Sequence, residues 1–156
     1  MNGEPVISAV KGRRRSRVVA LQALYEIDCA SHPPAAVLRR RLVENDLSPP
    51  YGEFARHLVK GVLENQPVLD DFIHEYAPEW PLGQMAYIDR NILRMAIFEF
   101  AIDGSTPVKV AINEAVELAK WFGSDSAPRF VNGVLGSLVD RRDAIAQAAH
   151  RVEGNP

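Results

Sequence analysis

Cysteine is almost missing from this sequence: Cys29 is the single one, so no internal disulfide can form and a reducing compartment, the cytoplasm, is expected. No apolar run approaches the roughly 18–20 residues that a membrane-spanning helix requires, so no membrane association is expected. The Lys/Arg cluster near the N-terminus has no apolar stretch behind it, which excludes a secretory signal. His32, His57, His74 and His150 lie far apart, and none pairs with another histidine at metal-ligand spacing. Asp70 and His74, four apart, read as a solvated helix face, and Cys29 reads as a semi-buried structural thiol. Alternating strand patterns are absent, and with them any glycine-rich phosphate loop following a strand. No nucleophile–base pair, metal set or phosphate loop stands out.

What is present is a helical pattern. With 47% hydrophobic and 24% charged residues, a chain of 156 residues can bury an ordinary core. Prolines and glycines recur at helix-length intervals and divide the chain into about seven helices, an all-α fold. Residues 1–12 read as a flexible tail. A first helix spans about 13–30, with Val18, Leu21 and Leu24 on one stripe, and His32-Pro33-Pro34 stops it. The second spans about 35–47 and the third about 51–65. Pro67 is expected to end the third and start a fourth, at about 67–76. Pro78 and Pro81 bound a connector that holds Trp80.

The fifth helix, about 83–103, is apolar around nearly its whole circumference, so it is the expected central helix. Glu99 lies on it and needs a partner, a hydrogen bond or an ion pair. The sixth spans about 108–122, with Gly123 placed to end it. In the seventh, which begins near Pro128 and reaches about 143, Phe130, Val134 and Leu138 form one row; Gly133 and Gly136 read as a small-residue packing face. The spacing of Phe130 suits the core and an exposed stacking ring equally. Residues 144–156, alanine-rich and then polar, are expected to fray. The two halves, about 13–80 and 81–143, form two small subdomains that share a core.

Charge is distributed unevenly. Residues 1–41 carry eight Lys/Arg against three acids, a net +5, which leaves −7 on the rest of a chain whose formal charge is −2. Arg13-Arg14-Arg15-Ser16-Arg17 places four guanidiniums at a helix start, where they repel one another and oppose the helix dipole. Phosphates relieve that repulsion, and arginine also stacks on bases, so a nucleic acid is the expected partner. The alternative is a solvated basic tail. Along the same helix Arg15, Gln22 and Tyr25 can line one side: a charge, an amide and an aromatic ring suited to an unpaired base.

Several stretches together resemble the NusB transcription antitermination family. They are residues 13–25 (RRRSRVVALQALY), 89–99 (DRNILRMAIFE), 107–120 (PVKVAINEAVELAK) and 130–135 (FVNGVL). The resemblance covers roughly 13–140 and is carried by the order and spacing of the four segments. It implies an all-α protein of two helical subdomains that binds the single-stranded boxA element of ribosomal RNA transcripts. It also implies a partnership with NusE, a small-subunit ribosomal protein, inside the RNA polymerase antitermination complex. The resemblance implies neither catalysis nor a cofactor. A homodimer that buries the RNA face is a further state known in the family. Carried over by position, Arg13, Arg14, Arg15 and Arg17 meet phosphates and bases beside Gln22 and Tyr25, and Tyr76, Asp89, Arg129 and Phe130 continue the RNA surface. Two other readings stand beside this one: a helical protein-interaction scaffold, and the NusB-like domain of an RNA methyltransferase whose catalytic part would follow Pro156.

Overall fold

A computed structural model describes residues 10–78 and 82–153, with the side chains of 152 and 153 excepted. Most of the expected N-terminal tail, and Trp80, therefore lie outside the described residues. Seven α-helices occur among them: α1 (Gly12–Ala30), α2 (Pro34–Asn45), α3 (Pro49–Tyr76), α4 (Tyr87–Ile97), α5 (Val108–Phe122), α6 (Ala127–Leu138) and α7 (Arg142–Glu153). No described residue is in a strand, and no described helix is long and apolar enough to cross a membrane.

Helix starts follow the prolines. Pro34, Pro49 and Pro128 each fall in the first turn of a helix, where the missing N–H costs nothing. Pro67 breaks this rule and corrects the expectation of two helices between 51 and 76. α3 runs through it for 28 residues. Pro67 gives up one backbone bond, but Asn65, Val68, Leu69 and Ile73 around it are all buried, and packing outweighs the local loss.

α4 is the centre of the fold, as its all-round hydrophobicity requires. It packs against α1, α3, α5 and α6, and Ile92, Leu93 and Ile97 are completely buried. The helix does not continue as a plain α-helix to 103. Residues Phe98–Asp103 widen into a π-helical turn, closed by Gly104 at φ 72°, whose N–H bonds the Glu99 carbonyl at 3.0 Å. That turn aims three side chains. Phe98 fills the space over Gly61 of α3, where an added Cβ would lie 2.1 Å from the ring. Glu99 points at α1, and Asp103 accepts a 2.9 Å hydrogen bond from His57.

The C-terminal segment is the second correction. Residues 142–153 form α7 rather than fraying, because Ile145 and Ala149, four apart, bury 100% and 97% of their surface against the core. Alanine-rich composition concealed a narrow apolar stripe. Two smaller expectations also fail. Gly133 and Gly136 are exposed with nothing within 4 Å of a Cβ built on them, so they form no packing face. Cys29 is exposed, near the end of α1.

Candidate nucleic-acid interface

The four arginines of α1 diverge as the helix turns, and each meets a different element. Arg13 is exposed, with its guanidinium 4.5 Å from the centre of the Phe54 ring. Arg14 donates two 3.0 Å hydrogen bonds to Glu114 of α5 and lies 5.6 Å from the Trp121 ring. The hydrogen bond to Glu114 pushes the Arg14 pKa up, so the group stays charged. Arg15 donates to the Asn45 carbonyl at 3.1 Å. These three lie at or near the surface.

Arg17 does not. It is 5% exposed and donates three hydrogen bonds of 2.7–3.2 Å to Glu99, which also accepts a 2.9 Å bond from Thr106. Arg17 is thus a buried partner of Glu99 and is not placed to meet RNA phosphates. The crowding of charge at the start of α1 is relieved in part by the protein's own acids, by Glu99 in the interior and by Glu114 at the surface.

Further along α1, Tyr25 is 40% exposed and meets Tyr87, 42% exposed, in the first turn of α4. The ring centres are 6.3 Å apart and the planes stand at 87°. Gln22 lies one turn earlier on α1, half-buried. Beneath the tyrosines lies an ion network. Asp28 of α1 accepts two hydrogen bonds from Arg90, at 2.6 and 2.7 Å, one from Asn91 at 2.9 Å and one from Arg94 at 3.2 Å. Arg94 also binds Asp70 of α3 at 2.7 and 2.9 Å. Asp70 is therefore taken up by this network, and α1, α3 and α4 are tied together under the surface. Burial alone would raise the Asp28 carboxyl; the bonds from Arg90 and Asn91 and the charges of Arg90 and Arg94 outweigh it and hold the group below its ordinary value.

Two residues after Tyr87, Asp89 turns toward the loop after α5. Its Oδ1 is buried and has no hydrogen-bond partner among the described residues, and burial pushes its carboxyl above the ordinary value. Gly123 makes this close approach possible: a Cβ there would lie 3.3 Å from Asp89 Oδ1 and 2.5 Å from the Ala127 Cβ. The backbone at Gly123 is extended, so the glycine is required for space and not for its φ. Asp89, Ser124, Ser126 and Phe130 line a recess of about 190 Å³. On its other side Phe130 lines a second recess, of about 410 Å³, with Tyr76 and Arg129. Phe130 therefore sits at the wall between two surface hollows and is only partly buried.

The structure thus brings Tyr76, Asp89, Arg129 and Phe130 into one run of surface. In the same turn of α4 as Asp89, Tyr87 contacts Tyr25. Arg14 lies against α5, the helix that ends at Gly123, 5.6 Å from the Trp121 ring. Tyr87 was missed by sequence reasoning. It carries no periodic signal toward α1, and only the pairing of α1 with α4 sets it beside Tyr25. Among the described residues no group of three or more His, Cys, Asp or Glu could hold a metal ion.

Comparison with known proteins gives a consistent result. The model of the NusB family matches residues 14–140. The transcription antitermination protein NusB of Roseiflexus castenholzii is 53% identical over 131 residues, covering 83% of this chain and 92% of its own length. The solved structure of T. maritima NusB superposes with a TM-score of 0.75 at 33% identity, covering 88% of this chain and 92% of that one. A crystal structure of the antitermination factors NusB and NusE in complex with double-stranded RNA gives a TM-score of 0.74 at 25% identity, covering 87% and 96%. On the family match and on relatives of this identity and coverage, the chain belongs to the NusB family of non-catalytic transcription antitermination factors.

Proposed function

We propose that this antitermination factor binds the single-stranded boxA element of ribosomal RNA transcripts together with NusE, and that the pair joins the RNA polymerase antitermination complex in the cytoplasm. The observation that carries this reading is the buried Asp89 Oδ1, without a hydrogen-bond partner among the described residues, in a recess that the partly exposed Phe130 also lines. A buried acceptor without a donor is costly to a protein on its own, by about 1–3 kcal/mol. A base amino group or ring N–H supplies the missing donor.

Ring surface exposed at Tyr25 and Tyr87, and partly exposed at Phe130, suits bases that are not already stacked in a duplex, which favours single-stranded RNA. Arg13, Arg14, Arg15 and Arg129 supply the positive charge for the backbone. A relative assembled with NusE and RNA supports the choice of partners.

The test is the salt dependence of RNA binding in the wild-type protein and in Arg14→Glu/Arg15→Glu. If about three phosphates are neutralised, the logarithm of the wild-type affinity falls with the logarithm of salt at a slope near about −2. The charge-reversed protein keeps its helical fold and loses measurable boxA binding. Unchanged affinity in that variant would remove the α1 arginines from the interface.

A further inference from the structure

Tyr87 is exposed, yet its ring is contacted from two directions. A tyrosine at the first turn of a helix is ordinarily free to rotate into solvent. Here the Arg90 guanidinium lies 4.4 Å from the centre of its ring. Arg90 itself cannot move away, because Asp28 holds it bidentately at 2.6 and 2.7 Å and it donates a further 2.8 Å bond to the Leu82 carbonyl. The perpendicular contact with Tyr25 fixes the ring from a second direction. Two aromatic rings, each about two-fifths exposed, are thus held at a right angle by a network whose other members are half-buried or buried. For stability alone, neither ring needs to stay open to water.

We propose that Tyr87 and Tyr25 form an aromatic corner that stacks a single unpaired nucleobase, with Arg90 as the positioning residue that keeps Tyr87 in place. One ring offers its face to the base and the other closes the side, so the rings need no ordering when RNA arrives. Asp89, two residues on from Tyr87, faces the loop after α5 and not the corner.

This inference rests on the RNA-binding reading above, and the experiment separates the two. A labelled boxA RNA and a set of boxA RNAs with one base removed at each position in turn are titrated with wild type, Tyr87→Leu and Tyr87→Phe, each checked for helical content. Wild type binds the intact RNA, Tyr87→Phe binds it equally, and Tyr87→Leu binds about tenfold more weakly. One abasic RNA shows the same loss with wild type and no additional loss with Tyr87→Leu. Equal binding by Tyr87→Leu and wild type would overturn the corner while leaving the RNA-binding function standing. So would weakened binding by Tyr87→Phe, or an additive loss at every abasic position. Absence of RNA binding by wild type would overturn both.

Discussion

Arg17 and Glu99, 82 residues apart, are joined by three hydrogen bonds in the interior, and Thr106 donates a fourth to the same carboxylate. The pair binds the start of α1 to the π-helical turn that follows α4. Removing one partner leaves the other charged and buried. Glu99→Ala is therefore expected to cost about 3–5 kcal/mol in urea unfolding. Arg17→Met/Glu99→Leu is expected to lose far less, since neither charge remains to be solvated. RNA affinity per folded molecule stays unchanged in the double variant, because Arg17 does not reach the surface.

Gly61 is expected to tolerate no side chain. Alanine would gain about 1 kcal/mol of helix propensity, but its Cβ would lie 2.1 Å from the Phe98 ring. Overpacking of this kind costs about 1–3 kcal/mol. Gly61→Ala lowers the unfolding midpoint, and Gly61→Ala/Phe98→Leu recovers part of the loss. An unchanged midpoint in the single variant would contradict the packing of the π turn on α3.

Acid unfolding is expected to track two carboxylates of α1. Hydrogen bonds from Arg40 and His32 pull Glu26 down to about 2, against an ordinary 4.5. Asp28 lies below its ordinary 3.8, held by Arg90 and Asn91 against the opposing effect of burial. A carboxyl lowered by folding contributes stability that is complete above its ordinary value and is lost as pH falls through the folded one. Stability is therefore level from neutral pH down to about 4.5 as far as these groups are concerned, then falls toward pH 2. Asp28→Asn is less stable at neutral pH and shows a shallower fall, measured as the unfolding midpoint across that range.

Asp89 has the opposite sign. Its carboxyl is raised by burial, so its ionisation opposes folding above the ordinary value of 3.8 and not below it. Asp89→Asn is expected to stabilise the free protein by about 1 kcal/mol at neutral pH, with the gain vanishing in acid. The same variant is expected to weaken boxA binding. A gain of stability coupled to a loss of affinity is the mark of a residue kept for its ligand.

Much of the fold was legible because prolines and glycines mark helix ends directly, and because an all-round apolar helix such as α4 can only be central. Where the sequence misled, a local signal met a tertiary one. Pro67 reads as a break, yet the buried residues beside it carry α3 onward. The alanines after 143 read as fraying, yet Ile145 and Ala149 suffice to dock α7. For the proposed site, the sequence pattern pointed to Arg13–Arg15 and Tyr25, and the family resemblance added Asp89 and Phe130; the structure places Arg13, Arg14 and Tyr25 at the surface and Asp89 and Phe130 in one recess. Arg17 and Tyr87 were not legible, since their roles depend on Glu99 and Tyr25, residues brought near only by the packing of α1 on α4 and its π turn. Glu99 did announce the need for a buried partner, but nothing in the sequence named Arg17.

Fluorescence anisotropy of a short boxA RNA, titrated with this protein alone and then with NusE added, tests the functional account most directly. Modest binding that tightens with NusE, weakens with salt and falls away for a scrambled RNA is the predicted result. No binding with or without NusE would contradict it.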